Sequence, residues 1–241
     1  MSAAHYAKIW DDYWSDTTDE LGQVFWDSRP EVGALDDFHR FGAHLDPRLP
    51  LIDVGCGHGT QARALAERFA RVVGVDVSEA GLAIARAGEP RPGLEFARLD
   101  LLDAAAPTVL HARLGDANVY VRAVLHQLDE AARVAAAAGL ARLLGARGRA
   151  LVVELSPAAE AYFEYLFAEF AGPPPGLRRV LRHGIQPAAL QRGDLTRLFA
   201  LAGLAPIAQG KGAIHTTLTL PGGQVALVPT DIFVFGRASE G

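Results

Sequence analysis

The chain has 241 residues, of which half are hydrophobic and 21% are charged, with a net charge of −5. Such a composition supports a substantial core and excludes wholesale disorder. The acidic balance argues against a general nucleic-acid binder, which carries a basic excess or stripe. The single cysteine, Cys56, cannot build a disulfide framework or a cysteine zinc site. The opening MSAAHYAKIWDDYW has no cationic region followed by an apolar run, and no segment reaches the roughly 18 apolar residues of a spanning helix. A cytoplasmic protein without a membrane or nucleic-acid partner, as a monomer or homodimer, is the expectation.

Residues 1–45 are acidic and aromatic, and Asp11, Asp12, Asp16, Asp19, Glu20 and Asp27 all fall there. Tyr6, Trp10, Tyr13 and Trp14 follow helical spacing, which predicts a helical cap over a body that starts near Leu51. From there short apolar runs alternate with helical ones. LIDV (51–54) reads as a buried strand, Thr60–Ala70 as a helix and RVVGVDV (71–77) as a strand. Ser78 caps a helix running to about Ala87. Strands follow at 93–100 and 118–124, then a helix at Glu130–Leu144 and a strand at 148–155. This alternation predicts a doubly wound, mostly parallel sheet with its ligand crevice at the carboxyl ends of the strands.

After Leu155 the rhythm breaks. Pro157–Phe170 reads as a helix, GPPPG (172–176) as a stiff turn and RRVLRHG (178–184) as a short basic segment. Gly193–Leu201 is helical, and strands near Ala205–Thr216 and Asp231–Arg237 close the chain through LPGGQ. A final strand pair of this kind fits an antiparallel edge on a parallel sheet. The expected organisation is a single domain with a cap at 1–45, a core at 46–156, a helical lid at 157–190 and a C-terminal helix and strand pair at 191–241.

The chemistry concentrates in Asp53-Val54-Gly55-Cys56-Gly57-His58-Gly59-Thr60, between the first strand and the first helix. Alternating glycines permit a tight turn and close approach of a ligand, and the helix N-terminus behind them offers free N–H groups. Cys56 reads as a small turn residue rather than a nucleophile. Gly57-His58-Gly59-Thr60-Gln61-Ala62 also satisfies a relaxed dinucleotide fingerprint, with Asp76 spaced to meet a ribose. Three features point away from a dinucleotide. Asp53 stands where it can shape the loop or meet a cationic amino group. Asp100 ends the third strand, where it can meet an adenine amino group. VLHQL follows the fourth strand.

Together these residues resemble the class I S-adenosylmethionine (SAM)-dependent methyltransferases. Asp53-x-Gly55-x-Gly57-x-Gly59 is similar to their first motif, Asp76 to the ribose-chelating acid and Asp100-Leu101 to the adenine-recognition pair. NVYVRAVLHQL is similar to their fourth strand and the segment after it, and the closing strand pair is similar to their inserted antiparallel strand. The resemblance implies a Rossmann-like α/β fold with a seven-stranded sheet. It also implies S-adenosyl-L-methionine as cofactor, S-adenosyl-L-homocysteine (SAH) as product, no metal, and a small-molecule acceptor bearing a hydroxyl, amine or carboxylate. Asp53, Gly55, Cys56, Gly57, His58, Gly59, Asp76, Val77, Asp100, Leu101 and Arg122 are then the cofactor-facing residues.

His126, at the carboxyl edge beside the expected methyl, is the candidate base. Its alternative is a positioning or core role. Tyr6 and Tyr13 are further catalytic candidates, and Trp14 a substrate contact, against simple packing of the cap. Phe163 and Phe167 are candidate walls of an apolar pocket, against ordinary core. Arg178 and Arg182 are candidate grips for an anionic substrate, against a solvated helix face. Three other functions stay open: a protein or tRNA methyltransferase, which an open cleft would favour, an NAD(P)-dependent oxidoreductase, and a SAM-binding module without methyl transfer.

Overall fold

The computed structural model describes residues 3–17, 24–185, 190–191 and 193–238. Asp19 and Glu20 of the acidic N-terminal group lie outside the described residues. Seven strands form one sheet in the order β3-β2-β1-β4-β5-β7-β6. They are β1 (Leu51–Val54), β2 (Val72–Asp76), β3 (Leu94–Arg98), β4 (Asn118–Arg122), β5 (Ala150–Leu155), β6 (Leu204–Thr219) and β7 (Val225–Arg237). β1 to β5 are mutually parallel. The antiparallel pair closes one side of the sheet, and its antiparallel member β7 sits one strand in, between β5 and β6. The order reverses at β1, between β2 and β4, which opens a crevice beyond the ends of β1 and β4.

Alternation along the strands fills both faces of the sheet. Ile52, Val54, Val73, Val119, Val121 and Val152 meet helix α6 (Glu130–Leu144) through Ala136, Leu140 and Leu144. Leu51, Val72, Tyr120, Leu151 and Val153 meet Phe38 and Phe41 of α2 (Ala34–Phe41) on the opposite face. The second half of the N-terminal region therefore packs beneath the sheet. Among the described N-terminal residues, Tyr6, Trp10 and Trp14 of α1 (Ala3–Ser15) and Trp26 border the crevice.

A third cluster joins α1 to Phe25, to Leu166 of α7 (Ala158–Glu169) and to Leu177 and Val180 of α8 (Pro175–Arg182). Ile214 and Val228 of the β6–β7 hairpin belong to the same cluster, so cap, lid and hairpin share one core.

Several elements differ from the sequence expectation, and β7 begins at Val225 rather than near Asp231. A helix, α5 (Ala106–Leu114), stands where none was predicted. It buries only Pro107 and Leu110, so the sequence carries no amphipathic period there. The proline run is not merely a turn: Pro175 begins α8, where its fixed φ and missing N–H suit a first helical turn. Of the other helices, α3 (Thr60–Leu65) is shorter than expected, α4 (Glu79–Ala87) starts after the Ser78 cap, and α9 (Asp194–Leu201) matches closely. No helix among the described residues is long and apolar enough to cross a membrane.

Candidate active site

The glycine loop leaves β1 and enters α3 with Gly55, Gly57 and Gly59 all at positive φ. At Gly57 (φ +51°) a Cβ would stand 2.4 Å from Cζ2 of Trp14, so this glycine lets α1 close onto the loop. Gly57 N donates to Asp76 Oδ2 at 2.8 Å and Ser78 N donates to Asp76 Oδ1 at 2.9 Å. The Asp76 carboxylate thus ties the loop to the end of β2, and each oxygen keeps a lone pair for a ligand. Burial raises its pKa, against the lowering effect of those backbone donors.

Three cavities adjoin at this edge. The first, about 810 Å³ with its open mouth included, lies between Gly55, Asp76, Val77, Asp100 and Leu101, beside Tyr6, Trp10 and Trp14. Asp100 turns one oxygen back to the Leu102 N–H at 2.8 Å. Tyr6 is anchored by Asp129: its hydroxyl accepts from Asp129 N at 2.9 Å and donates to Asp129 Oδ2 at 3.2 Å.

The polar cavity, about 510 Å³, is bordered by Asp53, Gly57, His58, Arg122 and Asp27. Asp53 is buried, and its Oδ2 has no hydrogen-bond partner among the described residues. Burial, and then the neighbouring Asp76 charge, push its pKa up to about 7, with Arg122 opposing. Arg122 Nε also lacks a hydrogen bond, at 3.5 Å from Asp37 Oδ2. Asp37 is itself held by the Tyr120 hydroxyl at 2.7 Å. An orphan carboxylate and a guanidinium in one cavity suit a zwitterionic amino-acid group. The phosphates of a dinucleotide would face the Asp53 carboxylate with like charge. His58 Nε2 lies 3.4 Å from Asp27 Oδ2.

The apolar cavity, about 440 Å³, is walled by Phe25, Phe163, Leu177, Val180 and Val228 among others, with His126 and Gln127 as its polar side chains. His126 Nδ1 lies 2.8 Å from Glu154 Oε2. Glu154 is fully buried in β5 and also accepts the backbone N–H groups of Val124, Leu125 and His126. A carboxylate only accepts, so the contact is made by Nδ1–H, the tautomer that in a neutral imidazole leaves the Nε2 lone pair free. The same four donors hold the turn after β4, where Ala123 sits at φ +60°. Gln127 Nε2 donates to the Ala123 carbonyl at 2.7 Å. A non-glycine residue there costs about 1–2 kcal/mol, the kind of strain found beside reacting groups.

Most sequence-predicted cofactor residues gather here, and several substrate and catalytic candidates do not. Tyr13 borders none of the three cavities. It is fully buried behind Trp14 and Trp26, and its hydroxyl has no partner among the described residues. Trp14 borders the first and polar cavities rather than the apolar one. Phe163 and Phe167 both pack, partly buried, against the third core cluster, but only Phe163 lines the apolar cavity. Arg178 is exposed and folds back to the Pro173 carbonyl, and Arg182 borders none of the cavities either. Gly59 shapes the start of α3 without lining a cavity. Burial and then the Asp76 and Asp53 charges push the Cys56 thiol well up, leaving it protonated and inert.

Sequence reasoning missed Glu154, Gln127, Asp37 and Trp26. Glu154 carried a usable signal: a lone acid inside the apolar run ALVVEL must find partners when buried.

Residues 51–148 match a family model described as a methyltransferase domain. The crystal structure of a SAM-dependent methyltransferase from Anabaena variabilis ATCC 29413 is 31% identical, with a TM-score of 0.91, covering 97% of this chain and 95% of that one. The magnesium protoporphyrin IX methyltransferase of Synechocystis PCC 6803, with bound SAH, shares the fold at 18% identity and a TM-score of 0.59, over 96% and 94% of the two chains. The ubiquinone biosynthesis O-methyltransferase of Pseudomonas entomophila (strain L48) is 35% identical over 81 residues, which are 31% of this chain and 35% of that protein. The matched region thus spans about a third of the length of such curated relatives.

Proposed function

The chain belongs to the SAM-dependent methyltransferases, and from that premise we propose that it methylates a hydroxyl group on a small, largely apolar molecule. The observation that carries this reading is His126, held by the buried Glu154, at the wall of an apolar chamber that adjoins the first cavity.

The residues present fit SAM. Asp76 and Asp100 suit its ribose and adenine. The orphan Asp53 oxygen suits its ammonium, and Arg122 with the glycine loop suits its carboxylate. Bound SAM supplies a methyl on a cationic sulfur, which departs with the bonding electron pair as an oxygen nucleophile takes the carbon. His126 Nε2 accepts the proton that the hydroxyl releases. Glu154 fixes the imidazole through Nδ1 and offsets its positive charge, acting as a positioning residue. The apolar walls hold the acceptor and exclude water, and α1 closes the cofactor side. A small apolar acceptor is favoured over a protein or tRNA, because the chamber's lining is apolar apart from His126 and Gln127 and carries no lysine or arginine.

The test pairs binding with turnover. Thermal shift with SAM, SAH and NADH should show stabilisation by the first two only. A panel of hydroxylated apolar ring compounds should then yield methyl ethers from labelled SAM. His126→Gln should lower kcat by about 10²–10⁴ while leaving the SAM dissociation constant intact. An unchanged kcat would remove His126 from the chemistry, and stabilisation by NADH alone would overturn the SAM reading.

A further inference from the structure

We infer that the indole of Trp26 seats the sulfonium of SAM by a cation–π contact and so distinguishes the charged donor from its neutral product. This rests on the SAM reading above and deepens it. Among the described residues Trp26 alone borders all three cavities. Gly55 and Arg122 border the first and polar cavities, whereas Ala123 and Gln127 border the first and apolar ones.

SAM has one atom from which three arms diverge. The adenosyl, aminobutyrate and methyl groups all leave the sulfur, and three chambers suited to adenosine, an amino acid and an acceptor meet where Trp26 stands. Of the ionisable side chains bordering the three cavities, Asp27 faces His58 Nε2 at 3.4 Å and His126 Nδ1 faces Glu154 at 2.8 Å. Asp76 and Asp100 suit the ribose and adenine, and Asp53 suits the ammonium. Arg122 repels a cation. Around the shared wall of the first and apolar cavities stand Ala123, Gln127 and Trp26, none of them charged. Recognition of the sulfur's positive charge therefore falls to the aromatic face.

The indole is also held for the task. It stacks on Tyr13 at 5.5 Å with 24° between planes, and Trp10 meets it edge-on at 5.7 Å. Tyr13 is fully buried and itself wedged edge-on against Trp14. The buried Tyr13 thus backs one face of the indole. After transfer the sulfur is neutral and the cation–π attraction is gone, so SAH is held by the remaining contacts alone and less tightly than SAM.

Calorimetric titration of SAM and SAH into wild type, Trp26→Leu and Trp26→Phe tests this without a known acceptor. Trp26→Leu should weaken SAM about threefold to thirtyfold more than it weakens SAH. Trp26→Phe preserves the stack on Tyr13, guards against a folding defect, and should show a smaller loss in the same direction. Equal weakening of both ligands in both variants reduces Trp26 to a wall and overturns the inference. Wild-type protein that binds neither ligand overturns the SAM reading itself, a distinct result.

Discussion

Replacing Asp53 with asparagine should move stability and ligand affinity in opposite directions. The Asp53 carboxyl is raised from 3.8 to about 7, chiefly by burial. A folded-state pKa above the unfolded value means that the folded chain binds this proton more tightly. The group is therefore neutral to stability below about pH 4. It becomes a growing penalty as pH rises toward 7, and a constant one beyond. The pKa difference corresponds to a ceiling of about 4 kcal/mol. For a chain of this size that is roughly 10 °C in Tm. The amide of the Asp53→Asn variant cannot ionise, so the unliganded variant should melt above wild type at pH 8 and the gap should shrink toward pH 5. Affinity should change the other way. Without an ionised oxygen for the ammonium, SAM should bind about tenfold to a hundredfold more weakly. Wild-type affinity should also fall as pH drops below 7, because binding must ionise Asp53, and this dependence should vanish in the variant. Melting curves and calorimetry at several pH values provide the readout. A variant less stable than wild type at pH 8, or a Tm gap indifferent to pH, would refute the reasoning.

Gly57→Ala should lower both Tm and SAM affinity, because the new methyl meets the Trp14 ring and the backbone stays at φ +51°. The strain alone costs about 1–2 kcal/mol, so wild-type melting and titration curves would show that α1 does not close on the loop. Tyr13→Phe removes a buried hydroxyl that has no partner among the described residues and should raise stability by about 1–3 kcal/mol with kcat unchanged. A Tyr13→Phe enzyme with lost turnover would return that hydroxyl to the chemistry.

The sequence by itself determined the parts of the site that follow from chain order. A glycine loop between a strand and a helix must lie at the sheet's carboxyl edge. Acids that end successive parallel strands must reach the same edge, as Asp76 and Asp100 do. Those inferences need only local periodicity and the fixed handedness of crossovers.

What the tertiary structure decided is which side of each stripe faces the ligand, and which distant residues meet. Tyr6, Trp10, Tyr13 and Trp14 share a helical spacing, yet Tyr13 turns into the protein while the other three border the first cavity. Phe163 and Phe167 share one stripe, and only the former lines the apolar cavity. Glu154 finds His126 from 28 residues away, and Asp37 meets Tyr120 across 83. Trp26 belongs to no periodic pattern, and its place at the meeting of three cavities exists only once cap, core and lid are packed. Periodicity records that a side chain is buried. What it is buried against is set by packing between elements far apart in the chain, and that is where the apolar cavity is made.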